Sequence, residues 1–208
     1  MDLPPDDFKK CVEFHGHVCP GLVMGYKATK AAMEWLEERR SEDEEIVAIV
    51  ENDACFVDAV QVLSGCTFGK GNFIFCDYGK MAVTFLSRST GKGIRVSLKG
   101  AVVPSSPEHR ELFQKIQEGR ATQEEHDRFR QLHEERSKLL MEKRPEDLFF
   151  LEEVSIPLPP KARIEPSEVC ELCGEPTMRT KMVILESKRI CRACAAREQG
   201  KSVYPCAK

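Results

Sequence analysis

The sequence contains no long hydrophobic run. Apolar residues make up 41% of the 208 positions, yet no segment approaches the roughly 20 apolar residues that a helix needs to cross a bilayer. The first seven residues, MDLPPDD, lack the basic and apolar regions of a secretory signal peptide. A large positive charge is also missing, because the formal net charge is −3. These absences predict a soluble cytoplasmic protein with no membrane partner, and they argue against a polyanion binder.

Cysteine, by contrast, is abundant. The ten cysteines fall into two groups, one between residues 11 and 76 and the other between residues 170 and 206. In a cytoplasmic chain, paired cysteine spacings favour metal binding over disulfides. The sequence therefore predicts two regions that carry metal-binding chemistry.

A proline-rich stretch separates the two cysteine groups. Residues 156–160 read IPLPP, and proline favours an extended backbone that spaces two folded bodies apart. We therefore predict a core domain over residues 1–155, a linker over residues 156–166 and a four-cysteine domain, called the finger here, over residues 167–208.

The finger contains two CxxC pairs with seventeen residues between them. Two such pairs can supply four thiolates to a tetrahedral zinc ion. A strand candidate at residues 182–185 and a helix from residue 192 to 200 are typical of a treble-clef zinc finger. Four close thiolates repel one another without a metal, so we expect structural zinc and metal-dependent folding. The expected ligands are Cys170, Cys173, Cys191 and Cys194.

The finger is mildly basic. Residues 161–208 contain ten lysines or arginines and six acidic residues, and such a surface can contact nucleic-acid phosphates. No basic run with interleaved aromatic residues occurs, however. We therefore favour packing against a neighbouring domain or a second copy of the chain over nucleic-acid binding, and we assign no role to Cys206.

The most distinctive motif of the core is FHGHVCPG, at residues 14–21. Alternate residues of an extended segment point to the same side, so His15, His17 and Cys19 can face one point with ligand types that zinc prefers. Pro20 suits the first position of a helix. This would place Cys19 at the positive helix end, where a thiolate is stabilised. The alternative is a tight turn whose small residues only pack.

A second cysteine, Cys55, is also predicted near a helix start. Asn52 or Asp53 can cap the helix that follows. Asp58 lies one turn after Cys55, so the two side chains can share a helix face.

The remaining pattern predicts an α+β fold. A helix over residues 20–40 precedes an apolar run at residues 46–50, which is typical of a strand buried on both faces. Three more strand candidates are separated by glycine-containing turns, so we expect them to be antiparallel neighbours. These candidates lie at residues 73–76, 81–86 and 94–98.

Two charged helices are predicted after these strands. Ser106 precedes a proline and supplies an N-cap, and Thr122 begins a capping box. We expect the histidines of these helices to lie at the surface without a role, and the helix pair is one candidate for a homodimer surface. The histidines are His109, His126 and His133.

Three motifs together resemble a known family. FHGHVCPG at residues 14–21, DACFVDAVQ at 53–61 and GCTFGKGN at 65–72, followed by DYGK at 77–80, closely resemble FmdE, a family named after a component of formylmethanofuran dehydrogenase. The resemblance implies a thioredoxin-like α+β core, in which a mixed sheet is flanked by helices, and an auxiliary treble-clef finger. The core has no CxxC pair, so any likeness to thioredoxin would concern the fold and not the redox chemistry.

The resemblance also implies a metal site in the core. Carried over to this sequence, the ligands would be His17, Cys19 and Cys55, with a second zinc or another transition metal bound. Three protein ligands leave a fourth position for water or substrate, as is usual in catalytic zinc sites. Further ligands or partners in proton transfer would be His15, Asp58 and Cys66.

The leading functional hypothesis is a metal-binding protein that serves as an accessory or metal-dependent component of a molybdenum or tungsten oxidoreductase system. Its partners would be the other proteins of that oxidoreductase, and whether the chain is itself an enzyme stays open. The alternative is a non-enzymatic binding module or a zinc-finger regulator that contacts protein or nucleic acid.

Overall fold

The computed structural model describes residues 5–203 except 101 and 103, and Cys206 lies outside this range. Among the helices it describes, none is long and apolar enough to cross a membrane. The chain divides into two compact units after Ala162.

The first unit contains a five-stranded mixed sheet. Its strands are β1 (Ile46–Val50), β2 (Phe73–Phe75), β3 (Ala82–Ser87), β4 (Gly93–Leu98) and β5 (Phe149–Glu153). Their order across the sheet is β2-β1-β3-β4-β5, with β1 and β2 parallel and the other neighbours antiparallel. All of β3 and nearly all of β1 are buried, which explains the continuous apolar sequence of β1.

The antiparallel pairing expected for the strand at residues 73–76 is wrong. β2 pairs parallel with β1, with Ala48 opposite Phe73, so β1 separates β2 from β3. The connecting loop crosses the end of β1, because Cys76 donates its backbone N–H to Val50 and Lys80 donates to Glu51. β3 and β4 do form an antiparallel hairpin. The edge strand β5 was not expected, because only its first residue is buried and its sequence lacks an alternating pattern.

Six helices accompany this sheet among the described residues. They are α1 (Asp6–His15), α2 (Pro20–Leu36), α3 (Phe56–Ser64), α4 (Pro107–Gln117), α5 (Gln123–Glu142) and α6 (Pro145–Leu148). α2 and α3 pack closely at Gly25, where an added Cβ would lie 2.1 Å from the carbonyl oxygen of Phe56. This contact brings the beginning of α3 beside the beginning of α2.

The helix starts follow the capping signals with one exception. The Ser106 hydroxyl accepts a hydrogen bond from the backbone of His109, and the capping box at Thr122 is complete. At α3 the N-cap is Cys55, not Asn52 or Asp53. The Asn52 amide is instead used in the preceding loop, where it donates to the Lys80 carbonyl.

The surface position expected for the helix histidines is wrong for His109 and correct for His126. His109 is only 7% exposed, while His126 is exposed. Nε2 of His109 lies 2.7 Å from Nδ1 of His133. The His109 ring stacks on Phe129, and the His133 ring packs against Phe129 at a tilt. These rings fall on the facing sides of α4 and α5, so the helix pair buries His109 and partly buries the other two rings despite its high charge.

The second unit is small and consists of two hairpins and a helix. A core centred on Ile190 and Ala195 packs with the cysteines Cys170, Cys191 and Cys194. The elements are β6 (Ser167–Val169), β7 (Pro176–Met178), β8 (Met182–Leu185), β9 (Lys188–Cys191) and α7 (Arg192–Glu198). The predicted strand at 182–185 and the helix from residue 192 are both present.

Candidate metal centres

The four finger cysteines converge in the second unit. All four Sγ atoms lie within 4.8 Å of one another, and only Cys173 is exposed. The Sγ of Cys170 accepts the backbone N–H of Cys191 at 3.2 Å, and the Sγ of Cys191 accepts that of Cys194 at 3.4 Å. Backbone donors, that of Cys173 above all, lower the pKa of Cys170 to about 6. This group can therefore hold a metal, and its four sulfur donors suit a thiophilic ion.

The second group joins His15, His17 and Cys19, and we call it the core site. One ligand atom from each of these residues lies within 4.8 Å of the others. His15 ends α1, Gly16 follows with a left-handed φ of 93°, and Cys19 is the N-cap of α2. The chain thus reaches the site through a helix end and a turn. The prediction that residues 15–19 form one extended segment is wrong.

The core site is buried on one side and open on the other. Cys19 is 5% exposed, His15 is half-buried and His17 is exposed. The open side at His17 lets a metal or a small ligand enter from solvent.

Asp58 contacts the core site from α3. Its carboxylate lies 2.7 Å from Nδ1 of His15, while Nε2 of the same ring lies 3.8 Å from the Sγ of Cys19. Metal-binding histidines usually have a carboxylate partner of this kind, which fixes the ring orientation and the tautomer.

Cys55 lies beside Cys19. An added Cβ on Gly21 would lie 3.1 Å from the Cβ of Cys55 and 3.8 Å from the Sγ of Cys19, so the two cysteines flank this glycine. Of the six predicted core residues, His15, His17 and Cys19 converge, and Asp58 and Cys55 lie beside them. The predicted ligand Cys55 is not a member of the converging group.

The start of α2 does favour a Cys19 thiolate, as expected, but burial outweighs this effect. The Sγ does accept the backbone N–H of Leu22 at 3.4 Å, as an N-cap should. Burial nevertheless raises the pKa of Cys19 to about 11, and the neighbouring Cys55 thiol adds to the increase. A bound metal ion would reverse this increase, because a nearby cation favours the thiolate.

The sixth predicted residue, Cys66, lies elsewhere in the first unit. It is fully buried, and its Sγ lies 3.3 Å from the carbonyl oxygen of Ile46, to which it donates a hydrogen bond. Burial raises the pKa of this thiol to about 11. Cys66 belongs to neither metal-ligand group of the described residues.

Comparison with known proteins points to one family. Residues 14–150 match the family model described as FmdE, molybdenum formylmethanofuran dehydrogenase operon. The chain belongs to the FmdE family. The matched region contains the whole core site, while the finger lies beyond it.

Two further comparisons extend over more of the chain. A probable S-adenosyl-L-methionine-binding protein of Archaeoglobus fulgidus is 36% identical over 192 residues, which cover 88% of this chain and 50% of the relative. The chain thus spans about half the length of that relative. The crystal structure of a tungsten formylmethanofuran dehydrogenase FmdE-like protein from Syntrophus aciditrophicus is 26% identical, with a TM-score of 0.60, and the match covers 91% of this chain and 90% of that one. The mixed α+β fold is therefore that of an FmdE-like protein, and the thioredoxin-like description stays a prediction.

Proposed function

We propose that this FmdE-family chain is a cytoplasmic metal-binding accessory component of a molybdenum or tungsten oxidoreductase system. It would hold zinc in the finger and zinc or another transition metal at the core site. The observation that supports this best is the convergence of His15, His17 and Cys19, whose ligand atoms lie within 4.8 Å of one another. The Asp58 carboxylate contacts Nδ1 of His15, on the side of the ring away from Cys19. The names of the family and of the Syntrophus protein support the oxidoreductase association.

The donor set of the core site suits a borderline transition metal. Asp58 occupies Nδ1 of His15, which leaves Nε2 as the ligand atom on the side of Cys19. Two imidazoles and a thiolate are typical zinc ligands. Cys55, which lies beside Cys19 but outside the group of three converging ligand atoms, would be the additional donor.

A metal bound there would supply Lewis acidity to a small ligand. The protein would orient His15 through Asp58, keep the Cys19 side of the site dry and leave access at the exposed His17. In the finger, the two hairpins and the helix α7 would form a treble clef around structural zinc.

Metal content tests both sites. We expect close to two metal ions per full-length chain by inductively coupled plasma mass spectrometry, one for each proposed site. Cys19→Ser and Cys173→Ser should each remove one ion. Cys76→Ser is the matched control, because Cys76 belongs to neither group. Full metal content in both Cys19→Ser and Cys55→Ser would show that the core site is wrong.

The oxidoreductase association is tested by affinity purification of the tagged chain from its own organism. We expect components of a molybdenum or tungsten oxidoreductase among the bound proteins. Their absence from a preparation that contains both metals would favour the non-enzymatic binding module. Light scattering on the same preparation would show whether the chain is a homodimer.

A further inference from the structure

A cavity of about 710 Å³ lies in the first unit between α2, α5 and β4. Its apolar wall includes Met24, Leu98, Leu140 and Phe150. Five cationic side chains also line it, and none of its described lining residues is acidic. These cations are Lys80, Arg95, Lys99, Arg110 and Arg136.

Two of the five cations lie near Glu51: the charge of Lys80 helps to lower the pKa of this carboxyl, and Arg95 binds it directly. Arg95 pairs with Glu51 through two contacts, at 2.7 and 3.0 Å. Among the described residues, no carboxylate lies within ion-pair distance of Lys99, Arg110 or Arg136. A cavity with three uncompensated positive charges is unexpected in a chain whose net charge is −3.

Two of the uncompensated cations contact only neutral groups. The Nζ of Lys99 donates to the carbonyl oxygen of Glu146 at 2.6 Å and lies 5.2 Å from the centre of the Phe150 ring. Arg110 donates to the carbonyl oxygen of Ser105 at 2.5 Å. Their charges remain available to a ligand, and neither contact needs to break for an anion to bind.

Arg136 is the most informative residue of the cavity. Its Nε is buried and has no hydrogen-bond partner among the described residues. Burial lowers the pKa of its guanidinium group. Buried polar groups in folded proteins are almost always paired, and an unpaired buried charge is costly. An anion in the cavity would pair with the terminal nitrogens of the same guanidinium group, which has no carboxylate partner among the described residues.

We infer that this cavity binds a small organic anion, whose phosphate or carboxylate group contacts Arg136 and whose apolar part packs against Phe150 and Leu140. The volume falls within the range of small-molecule sites, which combine an apolar wall with a few polar groups. Guanidinium groups suit phosphate and carboxylate equally, because both accept paired hydrogen bonds. This inference goes beyond the proposed function and does not depend on a metal at the core site.

Isothermal titration calorimetry of the full-length chain tests the inference. The probes are phenyl phosphate, benzoate, inorganic phosphate and neutral phenol. We expect saturable binding of phenyl phosphate or benzoate, weaker binding of inorganic phosphate, which lacks the apolar part, and no binding of phenol. The tighter of the two aromatic anions identifies the preferred head group.

Substitutions on α5 locate the binding site. Arg136→Met keeps the unbranched apolar stem of the side chain but removes its charge and should weaken binding about tenfold or more, because charge-assisted hydrogen bonds are strong. Arg136→Lys should retain part of the affinity. Arg130→Met is the matched control, because Arg130 is exposed on the same helix and pairs with Asp127; its affinity should equal that of the unmodified chain.

Two results would overturn the inference. One is the absence of saturable binding of any anion, and the other is equal affinity in Arg136→Met and the unmodified chain. If Arg136→Met does not fold by circular dichroism, Arg110→Gln on the surface of α4 gives the same comparison. Metal content measured on the same samples separates the two proposals. Two metals without anion binding would contradict only this inference, whereas anion binding with one metal would contradict only the core site.

Discussion

The carboxylate of Asp58 lies 2.7 Å from Nδ1 of His15, and Nε2 of the same ring lies 3.8 Å from the Sγ of Cys19. The contact joins α1 to α3, 43 residues apart in the sequence. A neutral His15 that donates from Nδ1 to this carboxylate presents the lone pair of Nε2 towards Cys19. The imidazole is thus oriented before any metal arrives.

Asp58→Ala should therefore weaken metal binding at the core site. Loss of a carboxylate partner of a metal-binding histidine typically costs about 10- to 100-fold in affinity. Titration with a competing chromophoric chelator measures this change, with the finger as an internal reference that should not respond. Asp77→Ala, an exposed aspartate in the loop after β2, is the control. Unchanged affinity in Asp58→Ala would mean that His15 is not held in this way.

Gly25→Ala should disturb the core site from a distance. The added Cβ would lie 2.1 Å from the Phe56 carbonyl oxygen, and backbone cannot move aside as a side chain can. α2 and α3 must separate, so we expect a loss of about 1–3 kcal/mol in unfolding free energy and a lower core metal content. Gly69→Ala has open space around it and should change neither quantity. A stable Gly25→Ala variant with full metal content would contradict the close packing of the two helices.

Local sequence signals located many elements correctly. Ser106, Thr122 and Pro20 all mark helix starts in the structure, because capping depends on a few adjacent residues. The motif at residues 14–21 likewise grouped His15, His17 and Cys19 correctly, although the backbone there is a helix end and not an extended segment.

Features that depend on distant contacts could not be read from the sequence. The parallel pairing of β2 with β1 depends on a loop that crosses the end of β1, and glycine-containing turns do not encode such a crossing. The burial of His109 depends on the facing helix α5. Nothing in the sequence distinguishes Arg136 from the other charged residues of α5. Its special position becomes visible only in the folded structure, where its Nε has no partner among the described residues.

Glu51→Gln should destabilise the first unit at neutral pH. Hydrogen bonding to Arg95 holds the pKa of Glu51 below its usual value, and loss of such charged hydrogen bonds costs about 2 kcal/mol. This stabilisation is fully present above the unfolded-state pKa of about 4.3 and is lost as the pH falls through the lower folded-state value. Urea unfolding followed by Trp35 fluorescence measures it, since Trp35 is the only tryptophan and lies on α2.

The control for Glu51 is Glu152→Gln. Glu152 also contacts Arg95, but at 3.5 Å and with a side chain that is 61% exposed, so its loss should be small. Equal stability of Glu51→Gln and the unmodified chain at pH 7 would show that the Glu51–Arg95 pair adds nothing net.

His133 should make the first unit sensitive to mild acid. Burial, with the nearby charges of His109 and Arg136, lowers the pKa of His133 to about 4. The unfolded chain binds a proton near pH 6.5 and the folded chain does not, so stability should fall between about pH 6.5 and 4, by at most about 1.4 kcal/mol per pH unit for this group. His133→Phe should flatten this slope, whereas substitution of the exposed His126 by Gln should leave it unchanged. An identical slope in His133→Phe would assign the acid sensitivity to other groups.

Removal of metal should unfold the finger and spare the first unit. The second unit has a small core in which three of the five buried residues are cysteines, so its stability should come mainly from the bound metal. We expect a strong chelator to collapse the dispersed amide signals of residues 167–203 in nuclear magnetic resonance spectra, while Trp35 fluorescence without urea shows that the first unit stays folded. Cys173→Ser should reproduce the chelated spectrum without chelator, and Cys76→Ser should keep the dispersed one. Retention of dispersed finger signals after complete metal removal would show that the apolar contacts around Ile190 suffice to hold the fold.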